Sequence, residues 1–137
     1  MVCKQKMTGE GLCSAGEALA KVLIVDDNEL IRKMLRAILE PEGLECHEAS
    51  SVSGALARLL TDPPDLCFLD LHLPDGDGLG VLRQLAAVKG EPRQTRVFLL
   101  TGSDTEGLSQ RALELGAAAV LYKPFTPDQI LKAARKP

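Results

Sequence analysis

The chain has 137 residues, enough for one ordinary domain and too few for two sizeable ones. Apolar residues make up 45% of it, which excludes a disordered chain, and the net charge of −3 excludes the basic face of a general nucleic-acid binder. No apolar run approaches the roughly 20 residues of a membrane-spanning helix, and the opening segment lacks a signal-peptide core, so a cytoplasmic location is expected.

Residues 1–20 show no period and carry Gly9, Gly11 and Gly16; they are expected to form a flexible extension, with the domain proper over 21–137. Val22-Leu23-Ile24-Val25 is a β-rich run ending in Asp26-Asp27. Leu30, Ile31, Met34, Leu35, Ile38 and Leu39 then recur at helical spacing and predict one apolar stripe, capped by Asn28 or Asp27 and stopped by Pro41 and Gly43. Leu44 to Ala49 alternates apolar and polar residues, the pattern of a half-exposed edge strand. Ser50 or Ser51 is placed to cap a second helix bearing Val52, Leu56, Leu59 and Leu60.

Leu66-Cys67-Phe68-Leu69 runs without alternation into Asp70, as in a strand buried on both faces. In the turn that follows, Asp75 and Asp77 are expected to cap a third helix, marked by Leu79, Leu82, Leu85 and Ala86 and ending near Gly90. After a loop over 92–95, Val97-Phe98-Leu99-Leu100 ends at Thr101. A fourth helix carries Leu108, Ala112 and Leu115 and closes at Gly116. A fifth strand over 117–122, with Tyr122 as a packing residue, ends at Lys123. Thr126-Pro127-Asp128-Gln129 approaches a capping box for a short last helix. The four cysteines, Cys3, Cys13, Cys46 and Cys67, show neither CxxC nor zinc-ligand spacing and read as reduced thiols.

Five strand–helix units imply an α/β fold: a flavodoxin-like (βα)5 doubly wound, five-stranded parallel sheet in order 2-1-3-4-5, with its switch point between the first and third strands. Ligands of such sheets bind beyond the carboxyl ends of the strands, and here those ends carry Asp26-Asp27, Asp70, Thr101 and Lys123. Any one of these reads as a cap or a solvated loop residue; together they are chemically matched. Carboxylates about 4 Å apart repel by about 4 kcal/mol per pair at an effective dielectric of about 20, and a cation relieves that repulsion. Hard oxygen donors that leave room for water suit Mg²⁺. A carboxylate is also a nucleophile toward phosphorus, and a transferring phosphoryl group needs positive partners for its oxygens. Mg²⁺ and the Lys123 ammonium supply two, and the Thr101 hydroxyl can donate to a third oxygen.

The stretches Val25-Asp26-Asp27-Asn28, Asp70-Leu71-His72-Leu73-Pro74-Asp75-Gly76-Asp77-Gly78, Leu100-Thr101-Gly102 and Lys123-Pro124-Phe125 occur in this order. Over residues 21 to about 135 the chain resembles the receiver domain of the two-component response-regulator family. The resemblance implies that Asp70 is the phosphoacceptor, that Asp27 and Asp70 bind Mg²⁺ with the backbone carbonyl of His72, and that Asp26 acts largely through water. It implies that Thr101 and Lys123 contact the phosphoryl group and carry the switch, and that the Lys123–Pro124 bond is cis. The implied donor is a histidine kinase or histidine phosphotransfer protein, and the implied output surface is that of the fourth helix, fifth strand and fifth helix, without direct nucleic-acid or membrane contact. Such a domain is a signalling module rather than an enzyme, though it assists its own phosphorylation and dephosphorylation. No effector segment is read here, which leaves a stand-alone regulator or a receiver excised from a hybrid kinase or multidomain regulator.

The chain departs from the family pattern at Val120, where an aromatic switch residue often stands, so the switching movement is expected in the backbone of 102–108, with Gly102 and Gly107. His72 and Ser103 are expected to flank the path of the hydrolytic water. Two rivals fit less well. A haloacid-dehalogenase-like phosphatase wants a second Asp where His72 stands. A flavin-binding module wants a Ser/Thr/Gly-rich loop where Asp26-Asp27 stand, and more aromatics than 3%.

Overall fold

The computed structural model describes residues 20–88, 95–102 and 106–135, together with the backbone of 2–3 and 6–7, which pair as a short parallel ladder. The remainder of the expected extension, Gly90, residues 92–94 and Ser103 lie outside the described residues.

The unalternating apolar runs become strands covered from both sides. The five strands of the main sheet are β1 (Lys21–Val25), β2 (Glu45–Ala49), β3 (Leu66–Asp70), β4 (Arg96–Thr101) and β5 (Ala119–Tyr122). All neighbours run parallel, in the order β2-β1-β3-β4-β5. The connecting helices are α1 (Glu29–Leu39), α2 (Val52–Thr61), α3 (Gly78–Ala87), α4 (Leu108–Glu114) and α5 (Pro127–Arg135). This is the flavodoxin-like α/β arrangement expected from the sequence. No described helix is long and apolar enough to cross a membrane.

Successive strand residues serve two separate cores, because side chains alternate across a sheet. Leu23, Val25, Cys67, Leu69, Val97 and Leu99 pack with α2, α3 and α4 through Ala55, Leu59, Leu82, Leu85, Leu108 and Ala112. Val22, Ile24, Leu66, Phe68, Phe98 and Leu100 pack with α1 and α5 through Leu35, Leu39, Ile130 and Ala133. Phe68 and Phe98 stack with ring centroids 5.4 Å apart. Cys46 and Cys67 are buried free thiols; burial pushes them up to about 11 and about 12, so they stay protonated at neutral pH.

Local signals place most of the helix ends. Asn28 caps α1 by accepting from Leu30 N, and Ser51 caps α2 by accepting from Gly54 N. The capping box of α5 closes in both directions: Thr126 Oγ1 accepts from Gln129 N at 3.2 Å, and Gln129 Oε1 from Thr126 N at 2.8 Å. Four expectations need correction. Leu30 and Met34 stay 73% and 47% exposed, because the residues that meet the sheet are Ile31, Leu35, Ile38 and Leu39, and a step of one residue turns a side chain about 100° round the helix. Asp77 caps α3 through Gly80 N, but Asp75 does not. Asp75 sits at the tip of a tight hairpin pairing His72–Leu73 with Gly76–Asp77, from which it accepts Val52 N at 2.7 Å and Ser53 N at 3.1 Å, capping α2. Tyr122 is exposed rather than packed. β5 begins at Ala119, since Ala117 N is still bonded to the end of α4 at Ala112 O.

Gly78 lies against the end of β3. A Cβ there would stand 2.7 Å from Leu99 Cδ1 and 2.8 Å from the Asp70 carbonyl oxygen, so no side chain fits without moving the backbone that carries Asp70. Gly78→Ala is expected to destabilise the domain by about 1–3 kcal/mol, the scale of overpacking, measured by urea unfolding. A loss below about 0.5 kcal/mol would show that the contact relaxes freely.

Candidate functional site

The carboxyl ends of β1, β3, β4 and β5 converge on one set of polar side chains. Asp26 follows β1, and its backbone N–H is held by Ala49 O at 3.1 Å. Its carboxylate accepts from Asn28 N at 2.9 Å through Oδ1 and from Lys123 Nζ at 3.0 Å through Oδ2. Asp70 ends β3 and accepts from the same Lys123 Nζ at 3.1 Å. Thr101 ends β4, fully buried, and its carbonyl accepts Lys123 N at 2.7 Å, which ties the last two chemical positions together through the backbone. The Lys123–Pro124 peptide is cis, as expected.

Asp26 and Asp70 are only 1% and 5% exposed, while Asp27 lies open to solvent. The three acids each offer a carboxylate oxygen, and these oxygens lie within 4.8 Å of one another. Such a cluster of hard oxygens, one side of it open to water, fits a divalent cation such as Mg²⁺. Burial pushes the Asp70 carboxyl above its ordinary range; the Lys123 hydrogen bond opposes this, and the nearby Asp26 and Asp27 charges reinforce it. Burial also works against the Lys123 ammonium, but its hydrogen bonds and charge contacts with Asp26 and Asp70 outweigh burial and raise its pKa.

The structure thus brings the side chains of Asp26, Asp27, Asp70 and Lys123 together, with Thr101 joined to Lys123 through its backbone carbonyl. His72 lies two residues past Asp70 in the hairpin, with an exposed side chain. Val120 is half-buried, paired with Leu99 across the sheet and packed on the α2–α4 side. One group had no place in the sequence reading. Arg32 Nη1 donates to the Asp26 carbonyl at 2.6 Å, while its Nε donates to Glu48 Oε1 at 2.7 Å. The Arg32 hydrogen bond holds Glu48 below the usual carboxylate range against the opposing effect of burial. An arginine among the apolar residues of a helix that follows an acidic strand end was the one available signal, and it is weak.

A family model described as the response regulator receiver domain matches residues 22–135. The chain is 39% identical over 107 residues to the KDP operon transcriptional regulatory protein KdpE of Escherichia coli, a match covering 78% of this chain and 46% of that protein. It is 35% identical over 111 residues to the transcriptional regulatory protein ResD of Bacillus subtilis, covering 81% and 45%. This chain therefore spans less than half the length of these two relatives. Among solved structures it is similar to a CheY-like receiver domain protein from Methanospirillum hungatei, with a TM-score of 0.79, 29% identity, and coverage of 86% of this chain and 92% of that one. It is also similar to the chemotaxis response regulator CheY4 of Vibrio cholerae, with a TM-score of 0.77, 29% identity and coverage of 86% and 98%.

The raised Asp70 pKa has a direct consequence for stability. A carboxyl that is harder to ionise when folded lowers stability once the unfolded chain ionises, so the cost is absent at low pH and sets in as pH rises from the unfolded value of about 4. Without divalent cations, Asp70→Asn is expected to be more stable than wild type at pH 7, with the difference closing as pH falls toward 4. Thermal unfolding across that range measures it; a difference that grows as pH falls would contradict the assignment.

Proposed function

The chain belongs to the response regulator receiver domain family, and from that premise we propose that Asp70 is its phosphoacceptor, taking a phosphoryl group from a histidine kinase or histidine phosphotransfer protein. The observation that carries this reading is the convergence of a buried Asp70, two further acids, Thr101 and Lys123 at the ends of four strands. In the proposed reaction an Asp70 carboxylate oxygen attacks phosphorus and forms a P–O bond. The P–N bond to the donor imidazole breaks, its electron pair stays on nitrogen, and the imidazole takes up a proton. The product is an acyl phosphate on Asp70.

Lys123, already bonded to Asp70, stays beside the charge as it moves out onto the phosphoryl oxygens, and Thr101 donates its hydroxyl to one of them. Mg²⁺, when held by Asp27, Asp70 and the His72 carbonyl with Asp26 acting through water, supplies further positive charge to those oxygens. In hydrolysis, water attacks phosphorus, the acyl oxygen leaves with its electron pair as the Asp70 carboxylate, and inorganic phosphate and a proton are released. The output surface in this reading is the face of α4, β5 and α5, where Leu113 and Tyr122 are exposed. Val120 is too short to sweep between buried and exposed positions, so the change passes through the backbone around Gly102 and Gly107. A cytoplasmic location belongs to the same reading.

Two measurements test it. Incubated with a small phosphodonor and Mg²⁺, wild type should gain the mass of one phosphoryl group and Asp70→Asn none; labelling of the variant at another residue would overturn the assignment. Mg²⁺ at 100 times its Kd should stabilise wild type by about 2.7 kcal/mol, and Asp27→Ala should need far more Mg²⁺ for the same effect. Equal stabilisation of the two proteins at every Mg²⁺ concentration would place the metal elsewhere.

A further inference from the structure

We propose that Arg32 is a positioning residue for the acidic cluster, setting the peptide plane between Asp26 and Asp27 so that both carboxylates face one divalent cation. The inference deepens the reading above and rests on the cluster taking Mg²⁺. The Asp26 carbonyl belongs to the peptide joining Asp26 to Asp27, and Arg32 Nη1 donates to it at 2.6 Å. Turning that plane moves the Asp27 backbone, whereas the Asn28 N–H and Lys123 ammonium bonds fix only the Asp26 carboxylate.

The guanidinium is itself fixed. Its side chain is 16% exposed, and Nε donates to Glu48 Oε1 at 2.7 Å. Arg36 Nη1 holds the other Glu48 oxygen at 3.0 Å and the Cys46 carbonyl at 3.1 Å, so the group that aims at Asp26 is braced against β2. The planar fork matters, because one residue must donate in two fixed directions at once, which a lysine ammonium on a flexible stem does poorly.

Position and charge make opposite demands here. Removing a cation beside three acids makes the cluster more negative, which by Coulomb's law alone tightens Mg²⁺ binding. Loss of positioning weakens it. Isothermal titration of the full chain with Mg²⁺, without phosphodonor and below the melting temperature of each variant, separates the two. Arg32→Gln is expected to bind Mg²⁺ about tenfold more weakly, the scale seen when groups that orient metal ligands are removed. Arg36→Gln loosens the brace on Glu48 but leaves the Arg32 bonds to Glu48 and to Asp26 in place, and is expected to weaken Mg²⁺ binding by much less than Arg32→Gln does. Arg32→Lys keeps the charge and one donor and is expected to fall between wild type and Arg32→Gln; if Arg32→Gln does not fold, Arg32→Lys decides by the same criterion. In phosphorylation assays the Arg32→Gln defect should lie in the Mg²⁺ concentration for half-maximal rate and not in the rate at saturating Mg²⁺. Unchanged or tighter Mg²⁺ binding in Arg32→Gln, or an equal loss in Arg36→Gln, overturns the proposal. A wild-type protein that binds no Mg²⁺ overturns the metal reading itself, a result distinct from either of these.

Discussion

Lys123 Nζ bridges Asp26 and Asp70 at 3.0 and 3.1 Å, one cation serving two anions that are almost wholly removed from water. Isolated buried carboxylates cost several kcal/mol each, so the pair is tolerable only with that ammonium in place. The sheet leaves little choice about the proximity. β1 and β3 are hydrogen-bonded neighbours at its centre, and acids that follow both must meet. With Asp27 beside them, three carboxylates share the Lys123 ammonium, while the Arg32 guanidinium at their edge is paired with Glu48, and the shortfall of positive charge makes the crevice receptive to a further cation.

Around this charge cluster the backbone is pinned from several directions. Leu71 N donates to Leu100 O, Gly78 N donates to Leu71 O, and the hairpin between them is fastened to α2 by the Asp75 carboxylate. The segment after Thr101 contrasts with it. Gly102 has open space where a side chain would stand, and Gly107 adopts a left-handed φ of 79° at the start of α4. Backbone hydrogen bonds thus fasten the hairpin beside the charges, while Gly102 and Gly107 are positions without neighbouring atoms where a side chain would stand.

Features that depend on residues close in sequence were legible in advance. The unalternating runs marked the central strands, the Thr126 and Gln129 spacing marked a helix start that closes as a capping box, and the acids, Thr101 and Lys123 stood at strand ends because apolar runs stopped there. Arrangements made through space were not. Asp75 caps a helix that begins 23 residues earlier, a partnership created by the position of the hairpin tip and absent from any local pattern. Arg32 reaches back to Asp26 only because α1 folds over the end of β1. Leu30 and Met34 misled because six apolar residues span more of a helix than one sheet face can cover.

The division of each strand between two cores has a consequence for how this chain can change over generations. Leu66 and Phe68 face one helical layer while Cys67 and Leu69 face the other, so β3 behaves as a reading frame. One residue inserted or deleted within it would exchange the layers, put each side chain against the wrong helices and swing Asp70 away from its ammonium partner. Substitution of one apolar residue for another of similar size is the lesser injury. Length variation in descendants of this sequence is therefore confined to the connections between elements, and the central strands drift by exchange of residues without gaps.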